Sequence, residues 1–373
     1  MKLKIKKDIL ADGLNKVAKA ISTKNLVPVL SGIKFELSKD GLTLTASDND
    51  ITIQTYIKAT ENMIIEQEGS IIIQGKYVLD IVRKLPDEYI NIEVIDELKI
   101  LIYTENSEFN LNGINKAEYP NITLETSKNP VLISKQNFKN IVNQTAFASS
   151  NDESRPVLTG INFKLSGDML ECNSTDSYRL SRKIIKLDKV VDENYNIVIP
   201  SKNLIEFTKI FNDSDNNIEL HIFNNKILFK VDNLLFQSRL INGTYPNTSN
   251  LLPTESLVTI TTTITELYNV IDRASILTSD KEKNIVTLET SQNKLVIKSN
   301  SAELGRVEEK MQIIKDNEEN IKISFVAKYM MEALKSFSTE KVDISFVGEI
   351  KPIILKTPDD SSLTQLVLPI RTY

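Results

Sequence analysis

The chain repeats itself, and the repeat limits what it can fold into. Pro28-Val29-Leu30-Ser31-Gly32-Ile33-Lys34-Phe35 returns as Pro156-Val157-Leu158-Thr159-Gly160-Ile161-Asn162-Phe163, with six of eight residues identical at a spacing of 128. Ile71-Ile72-Ile73-Gln74 returns as Ile197-Val198-Ile199-Pro200, and Tyr119-Pro120-Asn121 as Tyr245-Pro246-Asn247, both at a spacing of 126. Matches in one order at spacings within two residues of each other mark a tandem duplication, so each copy should form the same structural unit. A fainter third copy follows. Asn284-Ile285-Val286-Thr287-Leu288-Glu289 and Lys294-Leu295-Val296-Ile297 share the pattern of Gly32–Leu37 and Leu42–Thr45, and Ile323 falls 126 residues after Ile197. A third of the 373 residues is about 124, which leaves room for three copies and no large insertion. Ser, Asn, Thr and Pro gather at both expected joints, as joints between domains require. Three tandem similar domains are therefore expected, over 1–127, 128–252 and 253–373.

Each copy opens on a short strand: Lys2–Ile5, Val131–Ile133 and Leu257–Ile260. A helical period follows, with Ile9, Leu10, Leu14, Val17 and Ala18 on one face in the first copy. Phe138, Ile141, Val142 and Thr145 do the same in the second, and Leu267, Val270, Ile271 and Ala274 in the third. Alternating segments such as Ile33–Leu37 and Leu42–Thr45 then predict strands. A second amphipathic helix is predicted at Tyr77–Val82, Leu204–Phe207 and Tyr329–Leu334. One copy is thus two helices in a strand-rich unit. The fold class is α+β, with strands in hairpin order and antiparallel sheets.

Composition excludes several classes. With 41% hydrophobic and 25% charged residues, the chain has ordinary globular make-up. No apolar run reaches the roughly 18 residues needed to span a bilayer, and the first residues, MKLKIKKDILADGL, alternate charge with apolar side chains. A cytoplasmic location without membrane contact is expected. The single cysteine, Cys172, excludes an internal disulfide and any Cys-cluster zinc site. The single histidine, His221, excludes a His-pair metal site and sits in a strand-like alternation. Neither a dinucleotide-binding glycine fingerprint nor a phosphate-loop motif occurs. Asp48, Asn49, Asp50 and Asp176 are expected as turn formers, since no full metal loop follows them. No catalytic set and no cofactor are expected.

The net charge of −5 is unevenly spread. The helical windows 6–24, 74–84, 135–150, 201–212, 265–279 and 327–336 carry +3, +2, +2, +1, −1 and +1, or +8 together. The remainder then carries −13. If the helices share a face, that face binds a polyanion. Lysines on solvated helices would give the same count, and charge alone leaves both readings open.

Certain segments carry a resemblance. Pro28-Val29-Leu30, Thr175-Asp176-Ser177-Tyr178-Arg179-Leu180, Gly243-Thr244-Tyr245-Pro246 and the terminal Val367-Leu368-Pro369-Ile370-Arg371 are similar to segments of the bacterial DNA sliding clamps, the beta subunits of DNA polymerase III. The likeness covers essentially the whole chain. It implies a ring-shaped homodimer of six similar domains, with helices lining the hole and sheets outside. Duplex DNA threads such a ring without sequence preference, and the clamp gives a polymerase processivity without catalysing anything. The implied partners are double-stranded DNA, a second copy of the chain, the DNA polymerase III alpha and clamp-loader subunits, and other replication and repair proteins that dock linear peptides. The competing reading is a repeat-built scaffold that binds proteins and does not encircle DNA. An enzyme with an unrecognised site is the third.

The resemblance places DNA-facing positions on Lys24, Lys76, Arg155 and Lys202. Pro156 and Val157 stand where some clamps carry aromatic residues. An apolar peptide groove is implied at Leu158, Thr175, Ser177, Tyr178, Arg179, Leu180, Pro246, Leu251, Leu366, Val367, Leu368, Pro369, Ile370 and Arg371. Ser177-Tyr178 replaces a Gly-His pair common in the family, Asn250 stands where many carry a basic residue, and Thr372 and Tyr373 extend past Arg371. An altered peptide preference is expected from these departures. The ring joint is implied between Phe109 and Leu111 of one copy and Ile276 and Leu277 of the other, a head-to-tail contact that closes after two copies.

Overall fold

A computed structural model describes residues 1–21, 27–212, 216–253, 255–278 and 284–371. Six α-helices punctuate the described chain: α1 (Lys7–Val17), α2 (Gly75–Lys84), α3 (Lys135–Thr145), α4 (Ser201–Thr208), α5 (Ile264–Ala274) and α6 (Ala327–Lys335). Each begins at the residue after a strand, without a loop: Lys2–Lys6, Gly69–Gln74, Val131–Ser134, Tyr195–Pro200, Val258–Thr263 and Lys322–Val326. The switch from a period of two to a period of 3.6 therefore falls at one residue, which is why both patterns read cleanly in the sequence. The predicted helix faces are the buried ones. Leu10, Leu14 and Val17 are buried on α1, as are Phe138, Ile141, Val142 and Thr145 on α3 and Leu267, Val270, Ile271 and Ala274 on α5. Each such aliphatic side chain contributes about 1.5–3 kcal/mol on leaving water.

The chain packs as two compact units. The first comprises 1–135 with 206–240. One of its sheets has five strands in the order Met63–Gln67, Lys2–Lys6, Tyr89–Asp96, Lys99–Tyr103 and Glu108–Asn112. The other has eight: Val131–Ser134, Asn217–Ile222, Lys226–Val231, Leu234–Arg239, Ile51–Lys58, Gly41–Ser47, Gly32–Ser38 and Gly69–Gln74. Helix α1 lies on this sheet at Gly13, where an added Cβ would stand 2.9 Å from Ile57 Cδ1 and 3.0 Å from Leu44 Cδ1.

The second unit comprises 136–205 with 241–373. Its nine-stranded sheet runs Tyr195–Pro200, Gly160–Ser166, Met169–Thr175, Arg179–Lys186, Asp360–Val367, Ile353–Thr357, Lys341–Phe346, Val258–Thr263 and Ile314–Lys315. Its four-stranded sheet runs Gly305–Gln312, Lys294–Ser301, Ile285–Ser291 and Lys322–Val326. Helices α5 and α6 bury Leu267, Ile271, Met330 and Leu334 with Phe325, Phe346 and Val367 in one core.

The strand pairings among the described residues are antiparallel, as the hairpin order of the sequence requires. Two of them join one repeat to the next. In the first unit Ser238 pairs with Ile51, and in the second Val367 pairs with Arg179. Ile51 and Arg179 are 128 residues apart, so the two joints are copies of each other. Sheet pairing thus continues from repeat to repeat, and the compact units do not follow the repeat lengths.

Candidate functional site

The second unit's joint carries Thr175, Ser177–Leu180 and Leu366–Leu368 of the groove residues named from the sequence. Thr175-Asp176-Ser177-Tyr178-Arg179 closes the hairpin between Met169–Thr175 and Arg179–Lys186. Thr175 Oγ1 donates to Arg179 O at 2.6 Å and accepts the Ser177 N–H at 3.1 Å. Asp176 Oδ1 accepts the N–H groups of Tyr178 at 2.9 Å and Arg179 at 3.0 Å. These short polar side chains hold Ser177 at φ +76°, in the left-handed region. The turn leaves Tyr178 61% exposed and sends Arg179 inward to 9%.

Arg179 organises its surroundings. Its Nε donates to Asp176 Oδ2 at 3.0 Å, one terminal nitrogen to Phe147 O at 2.6 Å, and the other to Glu332. The guanidinium lies 4.6 Å from the ring centre of Tyr329 and 5.3 Å from that of Phe147. Tyr178 stacks on Tyr329 with centroids 6.3 Å apart. Burial, followed by the nearby Asp176 charge, pushes the Tyr329 phenol upward.

Beside this column lies an apolar wall. Leu180, Ile354 and Leu366 form a buried cluster against which Leu252 and Leu368 pack half-buried. Leu180 pairs with Leu366, Tyr178 O accepts the Leu368 N–H at 2.9 Å, and Ser324 O accepts the Ile370 N–H at 2.7 Å. The C-terminal segment Leu368-Pro369-Ile370 is thus pinned half-buried, and Arg371 is exposed. Val367 is buried in the core of α5 and α6. Leu158 belongs to a separate cluster with Val198 and Tyr245, which Val157 and Ile241 flank. Pro246 is exposed next to Tyr245, and Leu251 is 47% exposed next to Leu252. Thr372 and Tyr373 lie outside the described residues. Phe147, Tyr329, Glu332 and Ile354 were not among the groove residues read from the sequence. They come from three distant segments, Tyr329 and Glu332 sharing α6, and no linear pattern links these segments.

The cationic positions show a regularity. Lys76 and Lys202 are exposed second residues of α2 and α4, 126 residues apart. The same step leads to Lys328, the exposed second residue of α6. The spacing could have identified Lys328 in the sequence. None of the three enters an ion pair among the described residues. A cation in the first helical turn opposes the helix dipole by about 0.3–1 kcal/mol, so helix stability does not explain the position. Arg155 is exposed before the short turn Pro156–Thr159. Lys24 lies outside the described residues.

The helices proper carry less charge than the sequence windows. From α1 to α6 the values are 0, +2, +2, 0, −1 and +1. Lys6 lies in a strand and pairs with Glu88 at 3.2 Å. Lys135, although helical, is 2% exposed and pairs with Asp232 at 2.9 Å. The remaining surplus is divided between helix starts, with Lys76 and Lys328, and last turns, with Arg83, Lys84 and Lys335.

The four joint positions lie by two open sheet edges. Phe109, 37% exposed, and half-buried Leu111 are on Glu108–Asn112, the last strand of the five-stranded sheet. Ile276, 70% exposed, and half-buried Leu277 follow α5. Leu277 lies near Gly305, where the edge strand Gly305–Gln312 begins.

Residues with chemical potential are used structurally. His221 is buried and accepts the Ser127 N–H on Nδ1 at 2.9 Å, which puts the proton of the neutral ring on Nε2, 3.3 Å from Glu219. Burial pushes the Cys172 thiol well above its ordinary range. Asp48, like Asp176, accepts two N–H groups of its own turn. Among the described residues no three His, Cys, Asp or Glu side chains gather as metal ligands. No helix among them is long and apolar enough to cross a membrane.

Comparison with known proteins agrees over the whole length. Family models of the DNA polymerase III beta subunit match in succession: its N-terminal domain over 1–123, central domain over 132–247 and C-terminal domain over 249–371. The beta sliding clamp of Bacillus subtilis is 39% identical over 378 residues, with 100% of both chains covered. That of Staphylococcus aureus is 38% identical over 377 residues, again with 100% of both covered. The crystal structure of the DNA polymerase sliding clamp from Bacillus subtilis superposes with a TM-score of 0.96 at 40% identity, covering 100% of each chain. A Pseudomonas aeruginosa clamp structure at 21% identity, TM-score 0.94, shares the fold.

Proposed function

The chain belongs to the family of the DNA polymerase III beta subunit, the sliding clamp, and on that footing we propose that two copies close head to tail into a ring around duplex DNA. The family is a processivity factor and is not itself catalytic. The ring is built from clamp domains 1–127, 128–252 and 253–373 of each copy. The observation that carries this reading is the exposed lysine at the second position of α2, α4 and α6, repeated every 126 residues against the helix dipole. A ring that slides must meet phosphates without reading bases, and isolated lysines at equivalent positions do that. Lys24, Lys76, Arg155 and Lys202 face the DNA, and Lys328 joins them.

The groove at Leu158, Thr175, Ser177–Leu180, Pro246, Leu251 and Leu366–Arg371 takes an extended peptide. The Leu180–Leu366 wall receives aliphatic or aromatic anchors, and Tyr178, stacked on Tyr329, forms an adjustable rim. DNA polymerase III alpha, clamp-loader subunits and repair proteins dock there, and the work is done in the cytoplasm. Phe109 and Leu111 meet Ile276 and Leu277 of the second copy, where open strand edges favour pairing.

Native mass spectrometry tests the assembly. A species at twice 42.1 kDa is expected, and a monomer at every micromolar concentration would refute the ring. Deleting 369–373 tests the groove. Peptide binding should vanish while the dimer survives, and unchanged peptide affinity would refute the assignment.

A further inference from the structure

The first unit contains a counterpart of the groove with opposite chemistry. The turn Ser47-Asp48-Asn49-Asp50-Ile51 repeats the bonding of Thr175–Arg179: Ser47 Oγ donates to Ile51 O at 3.0 Å, and Asn49 has φ +76°. The Arg239 N–H donates to Asp50 O at 2.9 Å, as the Leu368 N–H does to Tyr178 O at 2.9 Å. Gln237 pairs with Thr52 as Leu366 pairs with Leu180. The register therefore sets Thr52 in place of Leu180, Asp50 of Tyr178, Gln237 of Leu366 and Arg239 of Leu368. A cavity of about 350 Å³ opens here, lined by these residues together with Asn121, Thr123, Asn225 and Lys226. Its volume lies at the low end of the ligand-site range.

The charge lining the cavity is unbalanced. The exposed Arg239 guanidinium enters no ion pair among the described residues. Among the described residues Lys226 Nζ meets the Thr123 carbonyl at 3.4 Å and the Phe223 ring at 5.4 Å and no carboxylate. Gln237 Oε1 has no hydrogen-bond partner among the described residues. Asp50 is the one carboxylate among the lining residues. Two cations that meet no carboxylate among the described residues, on a chain of net charge −5, favour an anionic ligand. Amide side chains around a concave site suit an extended backbone better than a flat phosphate track.

We propose that this cavity is a second docking site, for an acidic linear peptide, whose carboxylate pairs with Arg239 and Lys226. The choice of a peptide rests in part on the peptide-groove reading of the second unit, and the test separates the two. The probe is fluorescein-labelled Asp-Glu-Asp-Glu amide on the full chain, with Asn-Gln-Asn-Gln amide, inorganic phosphate and a short DNA duplex as competitors. Saturable binding is expected, weakened about tenfold or more by Arg239→Ala, for loss of one charge-assisted contact, and further by adding Lys226→Ala. Both variants should keep the parent melting temperature, since neither residue is buried. Binding should survive deletion of 369–373, so failure of the apolar groove leaves this result standing. The proposal is overturned by absence of saturable binding, by equal binding of the neutral peptide, or by indifference to Arg239→Ala. It is also overturned if phosphate or duplex displaces the probe at or below the concentration at which unlabelled acidic peptide does.

Discussion

Replacing Arg179 by alanine should collapse the rim of the groove. The side chain is 9% exposed and makes three hydrogen bonds through its guanidinium. Its loss strips Phe147 O of a donor at 2.6 Å and leaves Asp176 and Glu332 with no shared cation. Glu332 is 33% exposed and recovers water, and Asp176 keeps two backbone N–H groups, so the penalty for a fully buried charge does not apply in full. About 1 kcal/mol for the orphaned carbonyl, about 1 for the weakened ion contacts and about 1 for the two ring faces gives about 3 kcal/mol. Lysine keeps the charge but not the planar fork, and should restore less than half of this. Urea denaturation followed by tyrosine fluorescence measures the loss, and anisotropy of a labelled groove peptide should fall with it. Tyr178→Ala provides the contrast: the residue is exposed, so stability should move by less than about 0.5 kcal/mol while peptide affinity drops. If Arg179→Ala stays within about 0.5 kcal/mol of the parent, or Arg179→Lys equals the parent, the planar fork does not hold the rim.

Alanine at Lys76, Lys202 or Lys328 should each lower the slope of log affinity against log salt for duplex DNA by about 0.9 per phosphate lost, while Lys322→Ala, paired with Glu289 at 3.1 Å on a strand, leaves it unchanged. The same three substitutions should stabilise their helices by about 0.3–1 kcal/mol, readable as a raised melting temperature. Gly160→Ala should cost about 1–3 kcal/mol, because its Cβ would stand 2.7 Å from Ile199 O and 2.6 Å from Val198 Cγ1. Gly167→Ala, with open space around it and φ +59°, should cost about 1 kcal/mol. Burial holds the His221 imidazole below its ordinary 6.5, against the pull of Glu219. The unfolded chain therefore binds more protons as pH falls through 6.5, and the stability present above that pH is lost below it. His221→Gln should flatten the stability profile below pH 6.5 as measured by urea midpoints.

What was legible in the sequence was whatever repeats or alternates. The repeat placed the opening strand-to-helix junction of each copy, because each falls at a change of period such as Ile5 to Leu10, and it placed the second helix of each copy by its apolar face. The reason for the shared Gly32 and Gly160 needed coordinates: Ile72 and Val198 leave no space for a Cβ. The pairing of Arg179–Lys186 with Asp360–Val367 spans more than 170 residues, and no local pattern announces it. The Arg179 column was invisible for the same reason, since Phe147 and the α6 residues Tyr329 and Glu332 meet Arg179 only after folding. Charge counting over windows overstated the helices, because it could not see that Lys6 lies in a strand or that Lys135 is buried against Asp232. Lys328 was within reach by spacing alone.

Retention on circular DNA tests the ring most directly. Once loaded onto a nicked circle, the protein should stay bound through gel filtration at moderate salt and leave when the circle is cut at a single site. Capping both ends of the cut DNA with bound protein should restore retention. Equal release from circle and linear DNA would contradict encirclement, and so would retention on the cut molecule with its ends free.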